Sequence, residues 1–272
     1  MLGQIANVNQ YQEEFIHFRP QLKSYLFRLS ASKEDSEDLL QDTYVKVFDK
    51  IGSFKGNSSF KTWVFAIATN LAKDNYRVKQ LWGENWMDLV RDAHVQNPKL
   101  FAKKKQLLEK SPDAKFILSE HLNYCFNCTT KTLLLHEQIC LWLKEVYGFK
   151  ISEIMLILEL SEGKVKHAIA DARKHLIRIF KRKCALINKE GTCNQCTGLN
   201  QLYNPEQDAH IEANKLKMVK TQKEKNYDKL LDLRLALVKS IDPLSGKTID
   251  LHHYLIKNSP KWANQMIDNN AK

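Results

Sequence analysis

The chain has 272 residues, 43% of them hydrophobic, which is enough for one or two folded domains with their own cores. A formal net charge of +11 points to a polyanionic partner, nucleic acid first, although a basic ribosomal or membrane-surface protein would share that balance. No apolar run is long enough to span a bilayer and MLGQIANVNQ lacks a signal-peptide core, while 9 Gly and 6 Pro leave little room for β-hairpins, so a cytoplasmic, all-α protein is expected.

After an N-terminal extension (1–10), residues 11–79 read as helices. Ser36 followed by Glu37 and Asp38 reads as an N-cap with acids in the first turn, where the helix dipole favours them. Leu40, Tyr44, Val47 and Ile51 then follow a helical apolar spacing. IGSFKGNSS, with two Gly, an Asn and three Ser, reads as a loop whose Ser58 or Ser59 can cap the next helix. In FKTWVFAIATNLAKDNYR the spacing of Phe60, Trp63, Val64, Ile67 and Leu71 restores a helical face. The back of that segment turns polar and basic with Asn70, Lys73, Asn75 and Arg77. Lys55, Lys73 and Arg77 suit phosphates, and Asn57, Ser58 and Asn70 suit base edges. Trp63 and Phe65 read first as core.

Residues 80–120 lose periodicity around Pro98, Pro112 and the Lys103–Lys105 run, and read as a linker with one short helix. Residues 131–183 are helical again. In FKISEIMLILELSEGKVKHAIADARKHLIRIF, Ser152 can cap a short helix whose face is Ile154, Ile157 and Leu158. Glu159-Leu160-Ser161 turns the chain, and Ser161 can cap a second helix with Val165, Ile169, Ala172, Leu176 and Ile179 inward. Lys164, Lys166, His167 and Arg173 then point outward, the pattern of a helix-turn-helix that enters a major groove. From Arg173 to Lys183, six basic residues stand in an 11-residue run without an acid, which suits phosphate contacts. A packed hairpin with a solvated basic face is the plainer alternative.

Cys125/Cys128 and Cys193/Cys196 form two C-x-x-C pairs with 64 residues between them. If the ends of the intervening domain meet, the four thiolates make a closed structural zinc site, with Cys184 a substitute ligand. Reduced buried thiols and a redox-sensing dithiol are the other readings; Cys140 reads as core. The tail beyond Leu199 is mildly basic and carries a helix, Lys223–Ile241, stopped by Asp242-Pro243. Its leucines (Leu230, Leu231, Leu233, Leu235, Leu237) exceed one stripe, so they bury against the helix-turn-helix or against a partner, with Trp262 as a further anchor.

EDLLQDTYVKVFDKIGSF followed by SFKTWVFAIATNLAKDNYR resembles region 2 of bacterial sigma factors of the extracytoplasmic-function group, and SEIMLILELSEGKVKHAIADARKHL resembles their region 4. The resemblance covers roughly residues 11–183. It implies two small helical domains, region 2 over 11–80 and region 4 over 131–183, joined by a linker (81–130) and followed by a cysteine-containing helical extension (184–272). It implies a protein that joins core RNA polymerase, recognises and melts a promoter and directs initiation, and that is not an enzyme. By the same resemblance Asp38, Gln41, Asp42 and Lys46 face the polymerase β′ clamp. Phe54, Lys55, Asn57, Ser58, Asn70, Lys73 and Arg77 meet the melted −10 strand. Ser161, Lys164, Lys166, His167, Arg173 and Lys174 meet the −35 duplex, and region 4 docks on the β flap. Extensions of the form C-A-L-I-N-K-x-G-x-C-x-Q-C are similar to those of some members, which favours zinc. An anti-sigma protein or a DNA-targeting factor is the partner implied for the tail.

The segment departs from the family where G-K-V-K-H-A-I-A-D-A-R replaces a pattern close to G-T-V-x-S-R-x-x-R-A-R. Ala168 and Asp171 stand where Arg is common, and an acid there repels phosphate, so −35 recognition that is weak, reads an unusual sequence or is helped by another factor is expected. A stand-alone helix-turn-helix regulator has no need of the block Glu37–Arg77. A dithiol oxidoreductase would want a βαβ pattern around its cysteines, which the sequence lacks.

Overall fold

The structure is a computed structural model that describes residues 2–76, 82–109, 117–184 and 226–270, with isolated residues between 185 and 225. All its regular elements are helices: α1 (Leu2–Ser30), α2 (Lys33–Asp49), α3 (Phe60–Tyr76), α4 (Trp86–Gln96), α5 (Pro98–Glu109), α6 (Leu118–Thr130), α7 (Leu135–Leu141), α8 (Ile151–Leu158), α9 (Glu162–Lys183), α10 (Tyr227–Ser240) and α11 (Ile249–Asn270). A 3-10 turn, Ile51–Ser53, lies between α2 and α3, and a π-helical turn, Trp142–Val146, extends α7. No described helix is long and apolar enough to cross a membrane.

The chain divides into two compact units. The first holds residues 1–80 and 135–171, the second 81–134 and 172–272, so the helix-turn-helix segment falls partly in each. In the first unit α1, α2 and α3 pack pairwise, and α8 lies on α3. Its core takes Phe15, Leu22 and Leu26 from α1, Leu39, Leu40 and Val47 from α2, Phe60, Val64 and Phe65 from α3, and Ile154, Ile157 and Val165 from the helix-turn-helix. Two polar groups are buried within it with partners. Tyr25 Oη and Thr69 Oγ1 lie 2.8 Å apart, and the Arg28 guanidinium lies 4.9 Å from the centroid of the Trp142 ring.

The start of α2 corrects the reading of Ser36 as its cap. Ser32 Oγ accepts from the Asp35 N–H at 3.1 Å, whereas Ser36 is buried one turn in and donates to the Lys33 carbonyl at 2.7 Å. Tyr44, expected inside, is 39% exposed. The caps of α3 and α8 are joined. Ser59 Oγ accepts from the Thr62 N–H at 3.1 Å, and Thr62 Oγ1 donates to Glu153 Oε1 at 3.1 Å. The other oxygen of Glu153 accepts from the Lys150 N–H at 2.8 Å, so Glu153, rather than Ser152, satisfies the first turn of α8.

The second unit joins the end of α9 to segments expected to be linker and tail. Residues 80–120, expected to hold one short helix, carry α4, α5 and the start of α6. Pro98 does not break the chain there. It opens α5, where a missing N–H costs nothing. α11 packs against α4, α5 and α6, and α10 against α6. Leu230, Leu231, Leu235 and Val238 are buried inside this unit, so these tail residues serve its core. Arg234 is buried with them, its guanidinium 4.7 Å from the Phe180 ring centroid and donating to Asn188 Oδ1 at 2.9 Å. Asn226 caps α10, and the expected helix from Lys223 begins at Tyr227 among the described residues. α11 extends across Pro260 and was not anticipated; the side chain of Trp262 lies outside the described residues.

Candidate nucleic-acid and polymerase interfaces

Along α3 the exposed and half-exposed positions Trp63, Ile67, Asn70 and Asp74 recur at helical spacing, with Lys73 beside them. The opposite face is buried through Val64, Phe65, Ala68 and Ala72. From Trp63 to Asp74 this strip runs roughly 16 Å at the α-helical rise. Its start is aromatic. Trp63 packs on Phe54 with ring centroids 5.2 Å apart and on Phe60 at 6.0 Å. The preceding loop offers Lys55 and Asn57 to solvent, while Phe54 and Ser58 are half-buried. Ser58 Oγ donates to the Ser59 carbonyl at 3.2 Å, and Lys73 Nζ donates to Asn70 Oδ1 at 3.4 Å. Asn70 and Lys73 thus share one place on the strip and the loop residues lie by its N-terminal end; Arg77 lies outside the described residues. Phe65 is fully buried, so it is core. Lys61 sits over the rings of Phe149 and Phe65, and burial holds its ammonium below the ordinary lysine range.

On α2, Asp38, Gln41, Asp42 and Lys46 are all exposed and follow the spacing of one helix face. Beside them a groove of about 590 Å³ is lined by Phe15, Ile16 and Arg19 of α1 and Leu40, Gln41 and Tyr44 of α2. Lys23 and Glu37 close one side with a 2.9 Å ion pair, and the lysine holds the Glu37 carboxyl below its usual range. Ile16 is 65% and Val45 61% exposed. Sequence reasoning missed this apolar component, because Ile16 sits among the polar residues of α1 and Tyr44 fits the core spacing.

In the helix-turn-helix, Glu159 ends α8 in the left-handed region (φ 56°) and the chain re-enters a helix after Ser161. Ser161, Lys164, Lys166, His167 and Lys174 are exposed and Arg173 is half-buried. Lys166 Nζ pairs with Glu162 at 2.6 Å, which leaves Lys164, His167, Asp171 and Lys174 as the open face of α9. Ala168 is buried at 4% exposure, so this position faces the packed side of the helix and not a groove.

Cys125 and Cys128 stand one turn apart on α6. Cys128 is fully buried, and burial pushes its thiol up to about 12. Cys196 and Cys184 are half-buried, and Cys193 lies outside the described residues. Among the described residues no group of three Cys, His, Asp or Glu side chains is placed to hold a metal. Cys140 is fully buried in the first unit, as core.

The family of sigma-70 region 2 matches residues 15–81 of the chain. The chain is 28% identical over 163 residues to the ECF RNA polymerase sigma factor SigX of Bacillus subtilis, an alignment that spans 58% of this chain and 79% of that protein. It is 30% identical over 140 residues to the ECF RNA polymerase sigma-E factors of Salmonella typhimurium and Escherichia coli K12, spanning 52% of this chain and 71% of each. A solved structure of the sigma factor RpoE with the anti-sigma factor NepR from Bartonella quintana aligns over 63% of this chain and 97% of that one, at 20% identity and a TM-score of 0.44.

Proposed function

The chain belongs to the extracytoplasmic-function sigma factors and directs transcription through RNA polymerase, and on that footing we propose that α2 and α3 divide the work of initiation between them. The exposed face of α2 with its apolar groove docks on the β′ clamp of core polymerase through Asp38, Gln41, Asp42 and Lys46. The loop after α2 and the strip along α3 take the opened −10 strand. The observation that carries this reading is the strip itself: Trp63, packed on Phe54 of the preceding loop, at one end and Asn70 with Lys73 at the other, along a helix whose opposite face is core. Unpaired bases stack on aromatic faces, an amide reads a base edge, and the lysines hold phosphates. Such contacts exist only with opened DNA, so they shift the duplex toward the melted state without an energy source.

The open face of α9 enters the −35 major groove, with region 4 resting on the β flap. Asp171 in the middle of that face opposes phosphate, so the proposal includes a weak −35 contact, assisted by a recruiting factor or restrained by an anti-sigma protein. The test is transcription with purified core polymerase and a pool of promoter fragments, followed by sequencing of the transcript starts. We expect starts that depend on the protein and share a −10-like motif with little shared −35 sequence. Asn70→Ala with Lys73→Ala should reduce open complexes roughly tenfold while polymerase binding is kept, as the loss of one base-edge hydrogen bond and one phosphate contact, about 1–2 kcal/mol together, implies. Transcripts that are unaffected by that pair would overturn the assignment of the strip.

A structural zinc on Cys125, Cys128, Cys193 and Cys196 belongs to the same proposal, supported by the two C-x-x-C spacings and by Cys125 and Cys128 sharing one turn of α6. Metal analysis of protein purified under reducing conditions should find about one equivalent of zinc, as a single closed Cys₄ site requires. A content well below that would remove zinc from the account.

A further inference from the structure

Most of the basic run at the end of α9 is engaged by side chains of its own unit rather than left free for phosphates. Arg178 donates to Glu84 Oε1, and Arg182 donates to Glu84 Oε2 at 3.1 Å. Lys183 Nζ, only 11% exposed, pairs with Asp88. Arg173 donates to Asp232 Oδ1 at 2.6 Å. Lys181 Nζ lies 4.7 Å from the centroid of the Tyr227 ring. Of the six basic residues between Arg173 and Lys183, only Lys174 has no such partner among the described residues. The acids come from two places, the start of α4 with the turn before it (Asp88, Glu84) and the tail helix α10 (Asp232), and all these contacts lie inside the second unit. By contrast Lys164 and His167, at the front of α9, are exposed and meet no such acid among the described residues.

We propose that this unit is an intramolecular mask: its carboxylates occupy the phosphate-binding half of α9 and hold duplex DNA off until they are displaced. The carboxylates act twice. They engage the guanidinium and ammonium groups that would hold phosphates, and they place negative charge where the DNA backbone would run. Each pair by itself is weak, because Arg178 and Arg182 remain 59% and 54% exposed. The mask works by number and by repulsion, not by one strong bond. It would make region 4, basic in sequence, weak on DNA, and it gives the C-terminal extension a task that needs no partner protein.

This inference rests on the reading of α9 as a DNA-binding helix, and the experiment separates the two. Full-length protein and the E84Q/D88N/D232N variant are titrated with a fluorescent duplex of mixed sequence, by anisotropy, over a series of salt concentrations. The amides keep shape while removing charge, and circular dichroism confirms that helix content is retained. The variant should bind roughly tenfold tighter, with a log–log salt slope steeper by about 2, as expected when about two or three further phosphates are contacted at ~0.9 each. Asp232→Asn alone changes an exposed side chain and should give a threefold gain, which keeps the test usable if the triple variant folds poorly. Equal affinity and equal slope for variant and parent overturn the mask. Lys164→Ala with Lys174→Ala reports on the DNA reading itself. If it weakens binding while the acid variants do nothing, the helix binds DNA and the mask is wrong. If no protein in the series binds duplex, the DNA-binding reading fails and the mask falls with it.

Discussion

Replacing Glu120 by alanine should lower the unfolding free energy of the second unit by about 2–3 kcal/mol, the range for charge-assisted hydrogen bonds at a helix start. This carboxylate on α6 supplies acceptors for the entry into α11. It accepts from the backbone N–H of Lys247 at 3.0 Å and of Thr248 at 2.9 Å, and from the Thr248 hydroxyl. Without it these donors face the packed side of another helix, and the negative charge that suits a helix N-terminus is gone. The residue before the contact is equally constrained. Gly246 has φ +134°, and a Cβ built there would stand 2.8 Å from the Glu120 carboxyl carbon and 2.9 Å from both its oxygens. Gly246→Ala should therefore cost a similar amount by pushing the carboxylate off its donors. Urea titrations followed by circular dichroism would measure both, and the double variant should lose less than the sum, because the second change finds the contact already broken. Strict additivity, or a loss below about 0.5 kcal/mol for Glu120→Ala, the scale of an ordinary surface change, would show that the contact is incidental.

Acid should loosen the same unit. His252 of α11 is buried, its ring stacked on Tyr124 at 5.1 Å and 5.5 Å from the ring of His121. Its Nδ1 lies 3.3 Å from Thr248 Oγ1. Burial first, then the charges of His121 and His253, hold its pKa well below the usual histidine value of 6.5. The folded protein therefore keeps this ring neutral, while the unfolded chain protonates it near pH 6.5. Stability is whole above that pH and is lost as pH falls through and below it. Between about pH 7.5 and 5.5 the loss from this one ring should be about 1.4 kcal/mol. His252→Phe keeps an aromatic face against Tyr124 and removes the titration, so its melting should fall less over the same interval. A parent and variant with parallel pH profiles would count against the buried ring as the cause.

The sequence made the helices of the first unit legible wherever apolar spacing and a capping residue agreed, as at Ser59 before α3. It misplaced the cap of α2 because Ser36 is chemically as good a cap as Ser32, and only burial distinguishes them. It allowed one short helix where α4 and α5 both stand, and it passed over α11. Pro98 read as a break, although a proline at the first helical position is harmless, and α11, which runs through Pro260, matched no pattern that was sought. The faces of α2 and α3 were legible because exposed polar positions recur at helical spacing. The fate of the basic run in α9 was not. Glu84 and Asp232 are 94 and 59 residues from the arginines they meet, and no local pattern announces such a pairing. Ala168 shows the same limit on a smaller scale, since its place on the buried side depends on what α9 packs against.

The second unit joins residues near the middle of the chain to its C-terminal helices, and this sets an order of events during synthesis. α4, α5 and α6 leave the ribosome long before α11, which packs against all three. Until then the apolar faces that carry Trp86, Met87, Val90 and Leu122 lack that cover, in a chain whose first helices can already assemble. A nascent or prematurely ended chain would thus carry a finished first unit and an open, sticky middle segment, a ready substrate for chaperones and proteases. Completion of the tail then serves as a quality checkpoint on the whole factor.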